Sequence, residues 1–314
     1  MKTVACRIAI DLGIFELLEN KSSPQTMNDI AERTPGANPT LIGRILRCLE
    51  SFGAIGGNSS AGYTSSTVPK AFANKRHQAC LRSWQAPGWI LIPQFLNDEK
   101  YQNSTSSTDT PFAKAYGFKD GATIWQILET TDHMPVMGLW MQSFNDGHKN
   151  FLDIYPAMDR LAIGASTDSE SVMMVDVGGG QGHQAITMRK KVLHLSGRYI
   201  VTDLAHGLPV NRDESTGVDI MVHDFMTEMP VEGYSKVIIN DWIVPAEGAS
   251  KFMMAQDFNM MASGGGMERT QALHEEYIAA AGLKISGIWK ADNEISESVF
   301  DCELPKLINA DEFR

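Results

Sequence analysis

The stretch Val172-Met173-Met174-Val175-Asp176-Val177-Gly178-Gly179-Gly180-Gln181-Gly182-His183 reads as a short apolar strand that empties into a glycine-rich loop. β-Branched residues and Met in so compact a run need cover on both faces, as the strands of a parallel sheet have. Gly178, Gly180 and Gly182 admit a ligand against backbone that any Cβ would block. Gln184 to Lys191 then opens a helix whose first N–H groups are left to face that ligand. The residues imply an α/β fold with a site for a nucleotide-like cofactor.

The spacing is G-x-G-x-G, with Gly179 as an additional glycine, where a dinucleotide fingerprint would place its last glycine one residue further on. An ordinary strand-to-helix turn is the plain alternative. An acidic residue, Asp176, ending the strand just ahead of G-x-G-x-G resembles motif I of the class I S-adenosyl-L-methionine (SAM) methyltransferases. The cofactor this resemblance implies carries no phosphate. A carboxylate serves its cationic sulfonium and amino groups better than a helix dipole, which favours anions.

Downstream residues extend the pattern. Arg198-Tyr199-Ile200-Val201-Thr202-Asp203-Leu204 reads as a second strand ending in a carboxylate, placed to accept hydrogen bonds from ribose hydroxyls. Asp219 to Phe225 reads as a third strand. Its end, Asp224-Phe225, resembles the family pair that holds the adenine, where a carboxylate accepts from the exocyclic amine and an aromatic covers the ring. Taken singly, Asp203 and Asp224 could each be turn residues. The cofactor set is therefore Asp176, Gly178, Gly180, Gly182, Asp203, Asp224 and Phe225, and the cofactor S-adenosyl-L-methionine.

With 314 residues the chain has material for two domains. A net charge of −11 argues against a nucleic-acid partner, since phosphate binding depends on Lys and Arg. Cys6, Cys48, Cys80 and Cys302 are scattered without a C-x-x-C pair, which indicates neither zinc nor a disulfide framework and suits a reducing, cytoplasmic setting. No stretch has the length of a membrane span, and Arg7, Asp11 and Glu16 interrupt any signal-peptide core. The seventeen methionines suit an adaptable pocket, and equally an irregular core.

Ahead of the glycine loop, Val4, Ile8, Leu12, Phe15 and Leu18 fall at helical spacing and predict an amphipathic helix. Thr26 with Asp29 predicts a capping box, and Asn38-Pro39 a capped start to a helix carrying Leu41, Ile42, Ile45, Leu46 and Leu49 and stopped by Gly53. Ala54 to Thr64 predicts a hairpin, giving a winged-helix order. A DNA-reading winged helix needs a basic recognition helix, and here Glu50 offsets Arg44 and Arg47, so dimerisation or substrate cover is the better role. Ala9 to Phe15, Ile30-Ala31 and Leu41 to Arg47 resemble the N-terminal domain of plant-type and fungal small-molecule O-methyltransferases, which implies a homodimer. Members usually carry an additional helix before this point.

The Ser-, Thr- and Asn-rich tract Tyr101 to Thr110 reads as a linker, and aromatic residues and Met gather in helical segments beyond it. The expected organisation is a winged-helix-like dimerisation region (1–105), connecting helices that line the acceptor pocket (106–170) and a Rossmann-like SAM-binding domain (171–314). Pocket candidates are Trp125, Met141, Phe144, Asn145, Trp242 and Met260, a composition that core packing shares.

The chain then departs from the family. A typical member continues into a fourth strand ending in His-Asp-Trp, whose histidine takes the acceptor hydroxyl proton. Asn240-Asp241-Trp242 resembles that motif with Asn in place of His, but its flanks, Ser235-Lys236 and Val244-Pro245, resemble the next strand, which ends in Asn-Glu. On that alignment Asp241 stands where the family carries a catalytic-site Glu, and roughly 30 residues, about one β-α unit, are missing beyond Gly233. Losing a central strand is expected to leave the third strand's neighbour undefined and ladder groups unpaired.

The segment Gly266-Met267-Glu268-Arg269-Thr270 resembles the family's G-x-E-R-T, with Glu268 at the position that orients the base. His183, His223 and His133 each fit a structural role; of the three, His133 is the best replacement base. Catalytic candidates are thus Asp241, Glu268 and His133, with no metal. For an intact member the resemblance implies methyl transfer to a hydroxyl of a small aromatic or polyketide-type acceptor, without nucleic-acid or membrane partners. The missing base leaves three alternatives: a SAM-binding member repurposed for a pericyclic or cyclisation step, a non-catalytic dimer partner, or a defective gene product.

Overall fold

The computed structural model describes residues 2–304 except 35, 73, 82–84, 104, 146–148, 163–164, 193–194, 210–212, 232–235 and 291–296; the side chains of 76, 80–81 and 142–145 are also outside the description. The chain divides into two compact units, Met1–Gly147 with Met254–Met267, and His148–Met253 with Glu268–Arg314.

The first unit is helical apart from one hairpin, β1 (Gly56–Asn58) with β2 (Gly62–Thr64), paired antiparallel. Thr26 and Asp29 form the expected capping box ahead of the helix Met27–Glu32. Asn38 Oδ1 accepts from the Thr40 and Leu41 N–H groups at 2.9 and 3.3 Å, with Pro39 in the first turn of the helix Pro39–Ser51. That helix buries Ile42, Ile45, Leu46 and Leu49 against Phe15, Leu18, Ile30 and Tyr63. Asn38→Ala is expected to cost about 0.5–2 kcal/mol, read as a lower midpoint in chemical denaturation.

The opening segment corrects its expectation. Gly13, at φ +67°, divides it into helices Lys2–Asp11 and Ile14–Glu19. The first buries Ala5, Cys6, Ala9 and Ile10, whereas Val4 and Ile8 are 54% and 37% exposed. Small residues allow close helix packing, so in the first helix they share the inner face with Ile10 while Val4 and Ile8 face outward; Phe15 and Leu18 of the predicted stripe, on the second helix, are buried.

A second cluster of this unit packs Phe112, Ala113, Ala122, Ile127, Leu128 and Met137 from the helices Pro111–Ala115, Ile124–Thr130 and Met134–Asn145 and the turn between them.

In the second unit β3 (Val172–Val177), β4 (Arg198–Asp203) and β5 (Asp219–Val222) form a parallel sheet in the order β3-β4-β5. The helix His183–Lys191 follows β3, giving the β-α-β crossover that parallel strands require. A separate antiparallel sheet has the order β6-β8-β7, from β6 (Lys236–Asp241), β7 (Lys284–Trp289) and β8 (Ser298–Glu303).

A doubly wound sheet has the strand order 3-2-1-4-5-6, so its fourth strand borders its first. Here β3, the first strand, pairs only with β4, and β6 only with β8; among the described residues no ladder joins β3 to β6. The expectation that the third strand loses its neighbour is therefore corrected: β5 keeps β4 and lies at an outer edge, and the edges left facing the break are those of β3 and β6. The core nevertheless runs across the break, since Met173 and Met174 of β3, Ile238 of β6 and Trp289 of β7 pack on one cluster around Tyr155, Tyr199, Val201 and Val299.

Asp301, on β8, is fully buried. It accepts from Tyr155 Oη at 3.0 Å, Arg160 Nε at 2.9 Å and Lys236 Nζ at 3.0 Å. Burial opposes its ionisation, but hydrogen bonds from Lys236, Arg160 and Tyr155 outweigh that and hold the carboxyl below its ordinary value. The cluster ties β6, β8 and the helix Ala157–Leu161 together.

Candidate cofactor and active site

The parallel register brings Asp176, Asp203 and Asp224 to the carboxyl ends of three neighbouring strands: Asp176 lies opposite Val201, Asp203 opposite Val222, and Asp224 two residues further on. Ligands of such sheets bind at this edge.

Gly178, Gly180 and Gly182 all have positive φ, at 68°, 53° and 77°. An L-residue adopts that backbone only at a cost, which is why the loop is built from glycine. Its path is fixed by Gly178 and Gly179 N–H groups donating to Thr202 O at 2.8 and 3.1 Å, and by Gly180 N–H donating to Asp203 Oδ2 at 2.9 Å. A Cβ built on Gly178 would meet nothing within 4 Å, and on Gly180 nothing nearer than 3.9 Å, so the loop presents open backbone.

Beneath the loop, a Cβ on Gly179 would lie 2.6 Å from Asp176 Cγ. Burial pushes the Asp176 carboxyl up; a hydrogen bond from the Ala185 N–H opposes this, and the Asp203 charge adds to it. The bond from Ala185 means that the helix keeps one of its first N–H groups for its own carboxylate, so not all of them face a ligand. Asp176 Oδ2 is covered and, among the described residues, has no hydrogen-bond donor. A buried carboxylate with an unfilled oxygen suits a cation nearby.

Asp203 also accepts from the Leu204 N–H at 2.7 Å, so each of its oxygens holds one backbone donor and keeps room for another. Its carbonyl accepts from the His223 N–H at 2.9 Å. Asp224 accepts the Met226 N–H at 2.9 Å in a tight turn, and Phe225 beside it is 60% exposed.

At the carboxyl end of β6, Asp241 Oδ1 accepts the Trp242 N–H at 2.8 Å, and Oδ2 lies 3.3 Å from Arg269 Nη1 and 3.8 Å from His274 Nε2. His274 Nε2 is 3.1 Å from Trp242 O, and since a carbonyl only accepts, that nitrogen carries the proton. Trp242 stacks edge-on against Phe252, with centroids 5.7 Å apart. Val244 bridges Thr270 in parallel, so Glu268, half-buried, lies on the segment running beside the end of β6.

The remaining candidates lie in the first unit. His133 Nδ1 is 2.8 Å from Thr131 Oγ1, with its ring edge-on to Tyr116 at 5.9 Å. Trp125, Met141 and Met260 are partly exposed on the helices Ile124–Thr130, Met134–Asn145 and Lys251–Gly264. Phe144 and Asn145 belong to the helix Met134–Asn145, and their side chains lie outside the described residues.

Sequence reasoning missed β8 and the residue before it. Glu297 is hydrogen-bonded by Asn240 Nδ2. Burial, and secondarily the Asp241 charge, push its carboxyl up against the effect of that hydrogen bond. The run Ser298-Val299-Phe300-Asp301-Cys302 holds a strand-like Val-Phe pair that could have pointed to it, but every residue of it is buried, so no alternation marks it. Among the described residues, no group of three or more His, Cys, Asp or Glu side chains is placed to hold a metal, and no helix is long and apolar enough to cross a membrane.

Residues 1–75 match the O-methyltransferase dimerisation domain. The chain is 31% identical over 319 residues to the demethylsterigmatocystin 6-O-methyltransferase of Aspergillus flavus, covering 91% of this chain and 81% of that protein. The structure of LepI complexed with SAM superposes with a TM-score of 0.85 at 26% identity, over 96% of this chain and 86% of that one. Another structure, described as a pericyclic reaction enzyme, gives the same TM-score, identity and coverage. With a dimerisation domain, a glycine loop and strand-end carboxylates in place, the chain belongs to the SAM-dependent O-methyltransferase family.

Proposed function

We propose that the chain binds SAM at Asp176, Gly178, Gly180, Gly182, Asp203, Asp224 and Phe225, and transfers its methyl group to a hydroxyl of a small aromatic or polyketide-type acceptor. The observation that carries the reading is the row of three carboxylates around an open glycine loop. Three negative groups repel a pyrophosphate and attract a cationic ligand. Asp176, with its unfilled oxygen, supplies the negative field for the sulfonium and amino groups. Asp203 keeps one acceptor position on each oxygen for the ribose hydroxyls, and exposed Phe225 offers a face to the adenine.

When bound, SAM supplies an electrophilic methyl group on sulfur. The protein's part is proximity, orientation and proton removal. In this reading Trp242 contacts the acceptor, and Asp241, held by Arg269, and Glu268 set charge beside the reacting hydroxyl. Trp125, Met141, Phe144, Asn145 and Met260 as acceptor contacts, and His133 as a further proton-handling group, are candidates of the first unit that rest on the family resemblance. Residues 1–105 serve a homodimer, 106–170 connect, and 171–314 hold the cofactor. The exposed pair Val4 and Ile8 on the first helix suits the dimer contact. Cys6, Cys48 and Cys302 are unbonded, in keeping with a cytosolic protein.

A second reading is favoured by the open edges of β3 and β6: with the strand that bears the family's histidine missing from between them, SAM is retained for a step other than methyl transfer. Calorimetric titration with SAM tests what the two readings share. Saturable binding is expected, and absence of binding to the folded chain would sink both. Given binding, transfer of labelled methyl to a panel of phenols and enols supports the first, and binding without transfer to any panel member favours the second.

A further inference from the structure

β8 runs antiparallel to β6, with Asp241 opposite Ser298 and Asn240 opposite Val299. The chain entering β8 is thereby delivered to the carboxyl end of β6, the end at which the Asn240-Asp241-Trp242 motif lies. Glu297 arrives there as the diagonal neighbour of Asn240, on the same face of the ladder. Asn240 Nδ2 donates to Glu297 Oε2, while Asn240 Oδ1 is buried and, among the described residues, receives no donor.

This is half of a familiar pairing. A side-chain amide and a carboxylic acid can form two parallel hydrogen bonds, N–H to one carboxyl oxygen and O–H to the amide oxygen. With Glu297 ionised only the first forms, and Asn240 Oδ1 is left unfilled. A proton on the other carboxyl oxygen of Glu297 supplies the missing donor. The buried orphan therefore favours the protonated product of a proton transfer to Glu297, since closing the pair removes the cost of an unmade bond.

We propose that Glu297, held by Asn240, accepts the proton of the acceptor hydroxyl, in place of the histidine on the unit this chain lacks. The acceptor oxygen forms its bond to the methyl carbon as its proton passes to Glu297; the carbon–sulfur bond breaks with its electron pair left on sulfur. Glu297 then releases the proton to water. The groups bearing on Glu297 are Asn240 and Asp241 of β6, and Asp241 is itself faced by Arg269 and His274. Among the described residues no basic side chain reaches Glu297 to hold it ionised. Its carboxyl is also raised by burial first and Asp241 second, toward the range where a carboxylate is an effective base. The proposal rests on the methyl-transfer reading above.

The test compares the parent chain with Glu297→Gln, Glu297→Asp and Asp241→Asn. Calorimetry with SAM is expected to give Glu297→Gln the parent's affinity within about twofold. That keeps a failure of the cofactor site distinct from a failure of this residue. In the labelled-methyl assay on the phenol and enol panel, Glu297→Gln is expected to lose about 10²–10⁴-fold in rate. It also loses the acid limb of the pH profile, which Glu297→Asp retains and Asp241→Asn moves to lower pH. Independently of turnover, infrared difference spectra on acid titration should show a protonated-carboxyl band titrating above the ordinary glutamate value of about 4.3, absent in Glu297→Gln. The proposal is overturned if Glu297→Gln turns over within twofold of the parent, if that band titrates at or below the ordinary value, or if the parent binds SAM but methylates no member of the panel.

Discussion

Replacing Asp301 by alanine is expected to destabilise the folded chain by about 1–3 kcal/mol, the cost of leaving the buried Tyr155 hydroxyl without its acceptor. Arg160 loses its carboxylate, Lys236 keeps only Glu303 at 3.6 Å, and the Tyr155 hydroxyl loses its acceptor. The loss reads out as a fall in the denaturation midpoint at neutral pH. The pH dependence has a definite sign. Because the folded carboxyl is depressed, its contribution is fully present above the ordinary aspartate value and disappears as pH falls through the folded one. The parent should lose stability on acidification over that interval, and Asp301→Ala should show a flatter curve there. A variant as stable as the parent at neutral pH would mean that the cluster contributes nothing net to the fold.

Asp203→Ala is expected to weaken SAM binding about 100-fold or more. Hydrogen bonds to a charged group are worth about 1.5–3 kcal/mol each, and 1.4 kcal/mol is tenfold in affinity. Two effects combine: the ribose loses its acceptor, and the Gly180 N–H loses the oxygen that shapes the loop at 2.9 Å. Asp203→Asn keeps one acceptor oxygen and should fall between. Asp224→Ala should cost less, because that side chain is exposed and already spends one oxygen on the Met226 N–H. Calorimetry on the three variants gives the order directly. Parent-like affinity in Asp203→Ala would remove the ribose assignment.

The glycine loop was legible because its chemistry is local: strand, carboxylate and glycines are contiguous, and β3 is followed by the helix from His183 as expected. Asp203 and Asp224 were legible because each ends an apolar run, and parallel register carries strand ends to one edge. The first helix was misread because apolar residues lie on more than one of its faces, and hydrophobicity alone ranked Val4 and Ile8 above the small Ala5 and Ala9 that pack inside. β8 escaped because strand alternation vanishes when both faces are buried, and the Asp301 within it looks like a loop residue until Tyr155, Arg160 and Lys236 are seen around it. Glu297 could not be read at all, since its meaning depends on a diagonal partner 57 positions away.

The break between β3 and β6 has a mechanical consequence. One bank of it carries the glycine loop, the other Asn240, Asp241 and, across the ladder, Glu297. Backbone ladders lock neighbouring strands into steps of whole residues, whereas side chains packed across a seam permit small sliding displacements. Among the described residues the two banks are coupled by Met173, Met174 and Ile238 rather than by a backbone ladder, so their alignment is set softly. Whatever occupies both banks at once becomes part of what holds them in line.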